Sequence, residues 1–198
     1  MAPPHTNRMF CPSTLFLLGM RASGKSTLAR ALAERLGYAW MDTDDRVREG
    51  AGGLEVADIV RIEGWNGFRA REALALRAAA APYTVVATGG GVVLSPSNRL
   101  FLRQSGLCVY LEASPSLLCE RLRREPAPGQ RPPLSDPHGA GVSHAHPADD
   151  VENVLRERDA LYRKTAHYTV PADQRVEDLA DMVSCLADFP VRGGERQL

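Results

Sequence analysis

Apolar residues in this chain of 198 residues follow two alternating patterns. The runs at 14–18 (TLFLL), 84–88 (TVVAT) and 107–112 (LCVYLE) are short and almost unbroken. Strands covered on both faces read this way, because no polar side remains to alternate. Residues 38–41 and 167–170 read as two further short strands. Between the runs, apolar positions recur at helical spacing. Leu28, Leu32 and Leu36 define a helix over 26–36, which Gly37 stops. More helices are predicted at 54–61 and 68–81, with Gly64 and Gly67 as breaks between them, and at 97–104, 151–164 and 176–189. Ser114 caps another that runs to Arg124, and the polar run 42–45 (DTDD) suits a helix N-terminus. Strands alternating with helices predict an α/β fold of three layers, a parallel sheet with helices on both faces.

One stretch breaks the pattern. Residues 125–150 are rich in proline, glycine and histidine and poor in apolar side chains. A loop of that length inside a compact domain is usually a lid or is disordered, and a mobile lid is the expectation here. The predicted organisation is therefore a single domain over 14–189 with a lid at about 125–150. Loose tails precede it at 1–13 and follow it at 190–198.

Composition narrows the function classes. Hydrophobic residues make up 44% and charged residues 24%, as in a globular domain with a real core. Lys+Arg and Asp+Glu both number 24, so the net charge is zero. That balance argues against broad binding to nucleic acid or to acidic membranes. No apolar run approaches the ~18 residues of a membrane helix, and the N-terminal segment lacks the apolar core of a secretory signal. A cytoplasmic monomer without nucleic-acid or membrane partners is the expectation. Cys11, Cys108, Cys119 and Cys185 are scattered, as free thiols would be. Among the 24 basic residues only Lys25 and Lys164 are lysines, so a lysine carries more information here than any single arginine.

Lys25 stands in the most informative segment. Gly19, Gly24, Lys25 and Ser26 complete the pattern G-x-x-x-x-G-K-[ST] between an apolar strand and an amphipathic helix. Glycines let the backbone wrap a phosphate so that several N–H groups converge on it, and the helix N-terminus adds a favourable dipole. Lysine then reaches the β- and γ-phosphates, and the serine hydroxyl is offered to Mg²⁺. ATP or GTP binding follows, with Gly19, Arg21, Ala22, Ser23, Gly24, Lys25, Ser26 and Thr27 as the binding loop. Asp42 and Asp44 fall at a strand C-terminus, where a carboxylate can hold the water shell of Mg²⁺ or orient an attacking hydroxyl. Gly89, Gly90 and Gly91 follow another strand and offer bare backbone at the same sheet edge, where ligands of open α/β sheets collect. Arginines 69, 121, 131 and 158 are candidate clamps for carboxylate or phosphate.

The full set resembles the shikimate kinase family, most closely its bacterial monofunctional type II form. The P-loop at 19–26 is followed by D-T-D at 42–44 and by E-x-x-x-x-F-R-x-x-E at 63–72. G-G-G at 89–91, R-P at 131–132 and R-x-x-L-Y at 158–162 complete the order. The resemblance implies a P-loop NTPase fold of the nucleoside-monophosphate-kinase type. It implies transfer of the ATP γ-phosphoryl group to the 3-hydroxyl of shikimate, with Mg²⁺. By position, it assigns Asp42 to Mg²⁺ and Asp44 to the acceptor hydroxyls. Arg69 and Arg158 match the pair that grips the substrate carboxylate, with Glu72 orienting Arg69, and Gly89, Gly90 and Gly91 match backbone contacts to the substrate. Arg121 matches the arginine that stacks on adenine, and Arg131 the lid arginine near the transferred phosphate. A related gluconate kinase, or a silent nucleotide-binding regulator, are the alternatives.

The chain departs from the family pattern in its lid. Pro133 follows Pro132 where leucine is usual, and 27 positions separate Arg131 from Arg158, an extension that falls within 135–148. His138, His144 and His146 with Asp136 and Asp149 match no standard metal spacing and read as a solvated lid. Trp40 and Trp65 are expected to be packing residues.

Overall fold

A computed structural model describes residues 14–124 and 147–186. Its centre is β1 (Thr14–Leu18), five residues without a solvent-facing side. Four more strands join it: β2 (Ala39–Asp42), β3 (Thr84–Ala87), β4 (Leu107–Glu112) and β5 (Tyr168–Pro171). The order across the sheet is β2-β3-β1-β4-β5, and every pairing is parallel. All five strands therefore end at one edge, and the loops leaving β1, β2 and β3 gather there.

Helices cover both faces. The first, α1 (Lys25–Leu36), packs with α7 (Val176–Leu186). Two others, α4 (Pro96–Ser105) and α6 (Val151–Thr165), pack together against β4, and α5 (Pro115–Arg124) packs on α6. A short α2 (Thr43–Gly50) and the long α3 (Val56–Ala79) form an outlying lobe with its own apolar cluster of Val47, Ile59, Trp65, Phe68 and Ala75.

Local chemistry sets the helix ends. Gly37 ends α1 in the left-handed region at φ 67°, which glycine enters without a Cβ penalty. Ser95 accepts the Asn98 N–H at the start of α4, and Pro96 occupies the first turn, where its missing N–H costs nothing. The two helices expected at 54–61 and 68–81 are the two segments of α3, which meet at a kink at the expected break Gly64 (φ 70°, ψ 175°). Gly67 stays helical, because one non-helical residue is enough to turn Trp65 into the lobe's core. The C-terminal end of the predicted lid also differs from a loop. Residues Pro147–Asp150 form a 3-10 turn against α5, where the Cys119 thiol meets the Ala148 carbonyl at 3.2 Å. Arg131, His138, His144 and His146, like both tails, lie outside the described residues.

Candidate active site

The loop after β1 is shaped by its backbone. Gly19 has φ 146°, and a Cβ there would stand 2.9 Å from the Leu111 carbonyl and 2.9 Å from the Ser23 hydroxyl. Gly24 follows at φ 98° and occupies the cap position of α1 with no side-chain hydrogen bond. A helix N-terminus preceded by such a glycine-rich turn favours an anion. Lys25 is buried and folds back over the loop, donating to the carbonyls of Gly19 at 2.9 Å and Met20 at 2.7 Å. Arg121 ties this loop to the far side of the sheet. It donates to the carbonyls of Ala22 at 3.3 Å, Ser23 at 3.2 Å and Ala172 at 2.9 Å.

Asp42 ends β2 and caps α2. One of its oxygens accepts the Asp44 N–H at 2.9 Å, and the other accepts the Ser26 hydroxyl at 2.6 Å. A serine hydroxyl and a carboxylate side by side at the mouth of the loop are hard oxygen donors, the set that Mg²⁺ takes. The residues present therefore fit that ion.

The turn after β3 is crowded by charged side chains. A Cβ on Gly89 would lie 2.7 Å from an Asp44 carboxylate oxygen and 2.8 Å from one of Glu72. On Gly91 it would overlap the Arg69 guanidinium, with Cζ at 2.7 Å. These glycines are required by what lies over them. The Gly89 N–H is engaged by the Thr43 hydroxyl at 2.8 Å, and the Gly90 carbonyl accepts from Arg158 at 3.4 Å. Arg69 donates to Glu72 at 2.9 Å and lies 5.3 Å from the rings of Trp65 and of Phe68. Burial pushes the Glu72 carboxyl above its ordinary range, while Arg69 and Arg158 pull it back.

Residues Arg21 to Thr27, Asp42, Asp44, Arg69, Glu72, Gly90, Gly91, Arg121 and Arg158 border one cavity of about 580 Å³ at the C-terminal sheet edge. The loop, Ser26 and Arg121 stand at one end; Arg69, Glu72 and Arg158 meet at the glycine turn; Asp44 faces that turn. Trp65 both packs on Phe68 and borders the cavity, whereas Trp40 is 38% exposed with Arg30 over its ring at 4.6 Å. Trp40, on the outer strand β2, does not border the cavity, and Trp65 keeps its expected packing role while bordering it. Sequence reasoning missed Arg48, Val56, Gln174 and Leu179, which also border the cavity. Gln174 follows β5 and could have been found from the sheet-edge rule; the others carry no local signal.

The fold and this site define a P-loop kinase acting on a small acceptor. The profile of the family described as "Shikimate kinase" matches residues 21–187, and the chain belongs to that family. "Shikimate kinase 2" of Yersinia enterocolitica is 43% identical over 180 residues, 90% of this chain and 98% of the relative. "Shikimate kinase 2" of Yersinia pestis is 42% identical over 86% of this chain and 95% of its own. Among solved structures, "Shikimate kinase from Acinetobacter baumannii in complex with shikimate" superposes with a TM-score of 0.78 at 34% identity, covering 88% of this chain and 92% of that one. An ATP-dependent kinase on the expected parallel α/β fold is the result. No helix among the described residues is long and apolar enough to cross a membrane.

Proposed function

We propose that this protein transfers the γ-phosphoryl group of ATP to the 3-hydroxyl of shikimate, giving ADP and shikimate 3-phosphate on the route to chorismate and the aromatic amino acids. The observation that carries the proposal is the meeting of Arg69 and Arg158 at the glycine turn, inside the cavity that also holds the phosphate loop. Two guanidiniums in a partly dry site grip a carboxylate by charge-assisted bonds. Glu72 holds Arg69 in register by their 2.9 Å bond, and Gly89, Gly90 and Gly91 let the substrate approach the backbone.

A carboxylate anchored there brings the ring hydroxyls towards Asp44. Asp44 accepts the proton of the attacking hydroxyl as the new O–P bond forms and the β–γ bridge bond breaks towards ADP. The loop residues Gly19, Arg21, Ala22, Ser23, Gly24, Ser26 and Thr27 wrap the phosphates. Lys25 trades its carbonyl partners for β- and γ-oxygens when nucleotide arrives. Ser26 and Asp42 would hold Mg²⁺, which neutralises phosphate charge when bound. Arg121 is pinned by its edges on three carbonyls, which leaves its planar face for adenine. The resemblance assigns Arg131, outside the described residues, to the transferred phosphate, and exclusion of water there would prevent ATP hydrolysis. The reading places this single-domain enzyme, 14–189, in the cytoplasm as a monomer.

A coupled ADP-release assay with Mg·ATP tests it against shikimate, quinate and gluconate. Turnover with shikimate alone is the expected result. Turnover confined to gluconate would identify a different kinase, and nucleotide binding without turnover on any acceptor would identify a regulator.

A further inference from the structure

Tyr162 does not border the cavity, yet it holds the backbone on which the acceptor end is built. It is fully buried in α6, four residues after Arg158 and so on the same helix face. Its hydroxyl donates to the Gly90 carbonyl, which also accepts from Arg158. Burial pushes the phenol up to about 12, so it stays a neutral donor throughout the working range.

Three contacts give that bond leverage. First, Gly90 is where the glycine turn touches the phosphate loop: a Cβ there would stand 3.3 Å from the Arg21 amide nitrogen and 3.6 Å from the Gly19 carbonyl. Second, its neighbours carry the acceptor clamps, with Gly91 under Arg69 and Gly89 under Asp44 and Glu72. Third, the tyrosine is itself immobilised. Its ring stacks on Tyr110 at 4.9 Å, and the Tyr110 hydroxyl donates to Asp159 at 3.0 Å. On the opposite flank, the Gly89 N–H is held by Thr43. The turn is thus braced from α6 on one side and α2 on the other.

We propose that Tyr162 is a positioning residue that sets the spacing between acceptor and γ-phosphate by holding the Gly90 carbonyl. The inference rests on the shikimate kinase reading given above. In-line phosphoryl transfer is sensitive to displacements of about 1 Å between the reactants, so loosening this turn costs rate as well as acceptor affinity.

Tyr162→Phe tests it, because the ring and its stack remain and only the hydroxyl is lost. The expected result is a shikimate KM raised about fivefold to tenfold, as for a lost buried hydrogen bond. A severalfold lower kcat and an unchanged ATP KM accompany it, and more ATP is hydrolysed per shikimate phosphorylated. Hydrogen exchange at residues 89–91 is expected to rise while the rest of the sheet keeps its protection. Unchanged shikimate KM and kcat would overturn the proposal. So would equal losses for both substrates with a lowered Tm, the mark of a purely structural role. Should Tyr162→Phe fail to fold, Thr43→Val loosens the same turn from its other flank, and the same selective pattern or its absence decides. Wild-type enzyme inactive on shikimate would overturn the underlying reading, a result distinct from an active wild type with an indifferent variant.

Discussion

The two ends of the cavity are built by different means. At the nucleotide end the binding surface is backbone, nine consecutive residues from Gly19 to Thr27 leading into α1. At the acceptor end it is side chains, brought from α2, α3 and α6 onto a turn that must lack side chains of its own. A backbone site can be formed by one segment, and its geometry survives most changes in the neighbours. A site of desolvated charges is interdependent, since each carboxylate or guanidinium is tolerable only because the others are present. Perturbations at the first end should therefore affect one function each, and those at the second should spread.

The largest effect expected is on chemistry at the nucleotide end. Lys25→Ala should lower kcat by about 10²–10³, as for loss of one preorganised charge facing the transferred group, while Tm stays within a few degrees. Asp44→Asn should lower kcat more than it raises the shikimate KM; full turnover in that variant would remove the proton-accepting role. Gly91→Ala probes the acceptor end by shape alone. The added Cβ displaces Arg69, so the shikimate KM should rise roughly tenfold or more while ATP affinity, read by titration calorimetry, holds.

A smaller effect separates the ends by pH. The buried Glu72 carboxyl is raised, so as pH falls it takes up a proton earlier than an exposed glutamate would and releases Arg69. The shikimate KM should therefore climb on the acid side, while the ATP KM stays flat over the same interval. In Glu72→Gln the KM is raised throughout and that acid limb disappears. The sign for folding is opposite. A raised carboxyl pKa favours the folded state at low pH, and this contribution is lost as pH rises through the folded value. The smallest change expected is on the surface of α3, where Arg71 chelates Glu63 at 2.7 Å with both side chains about one-third exposed. Glu63→Ala should leave Tm and both KM values essentially unchanged, as solvent screens an exposed pair.

The same contrast explains what could be read from the sequence. The strands, most of the helices and the phosphate loop were legible because each is a local pattern: apolar runs, leucines at helical spacing, glycines around a rare lysine. Asp42 and Asp44 were legible as carboxylates at a strand end, but the pairing of Arg69 with Arg158 was reached only through resemblance to a family, since among 22 arginines no spacing marks two as partners. The structure brings them together, and it also shows a reason for Gly89 and Gly91 that no sequence pattern states. Thr43 and Tyr162 had no visible role because their partners are backbone atoms 46 and 72 residues away. The unbroken course of α3 past Gly67 was not legible either. Glycine lowers helix propensity by only about 1 kcal/mol, and packing of Trp65 and Phe68 into the lobe outweighs that.

The most direct test of the account is the identity and stoichiometry of the product. Purified protein would be incubated with Mg·ATP and shikimate, and the products resolved by ³¹P NMR and mass spectrometry. The account predicts one shikimate 3-phosphate for each ADP formed. ADP released without a phosphorylated shikimate, or phosphate carried on a different hydroxyl, would contradict the placement of the acceptor between Arg69, Arg158 and Asp44.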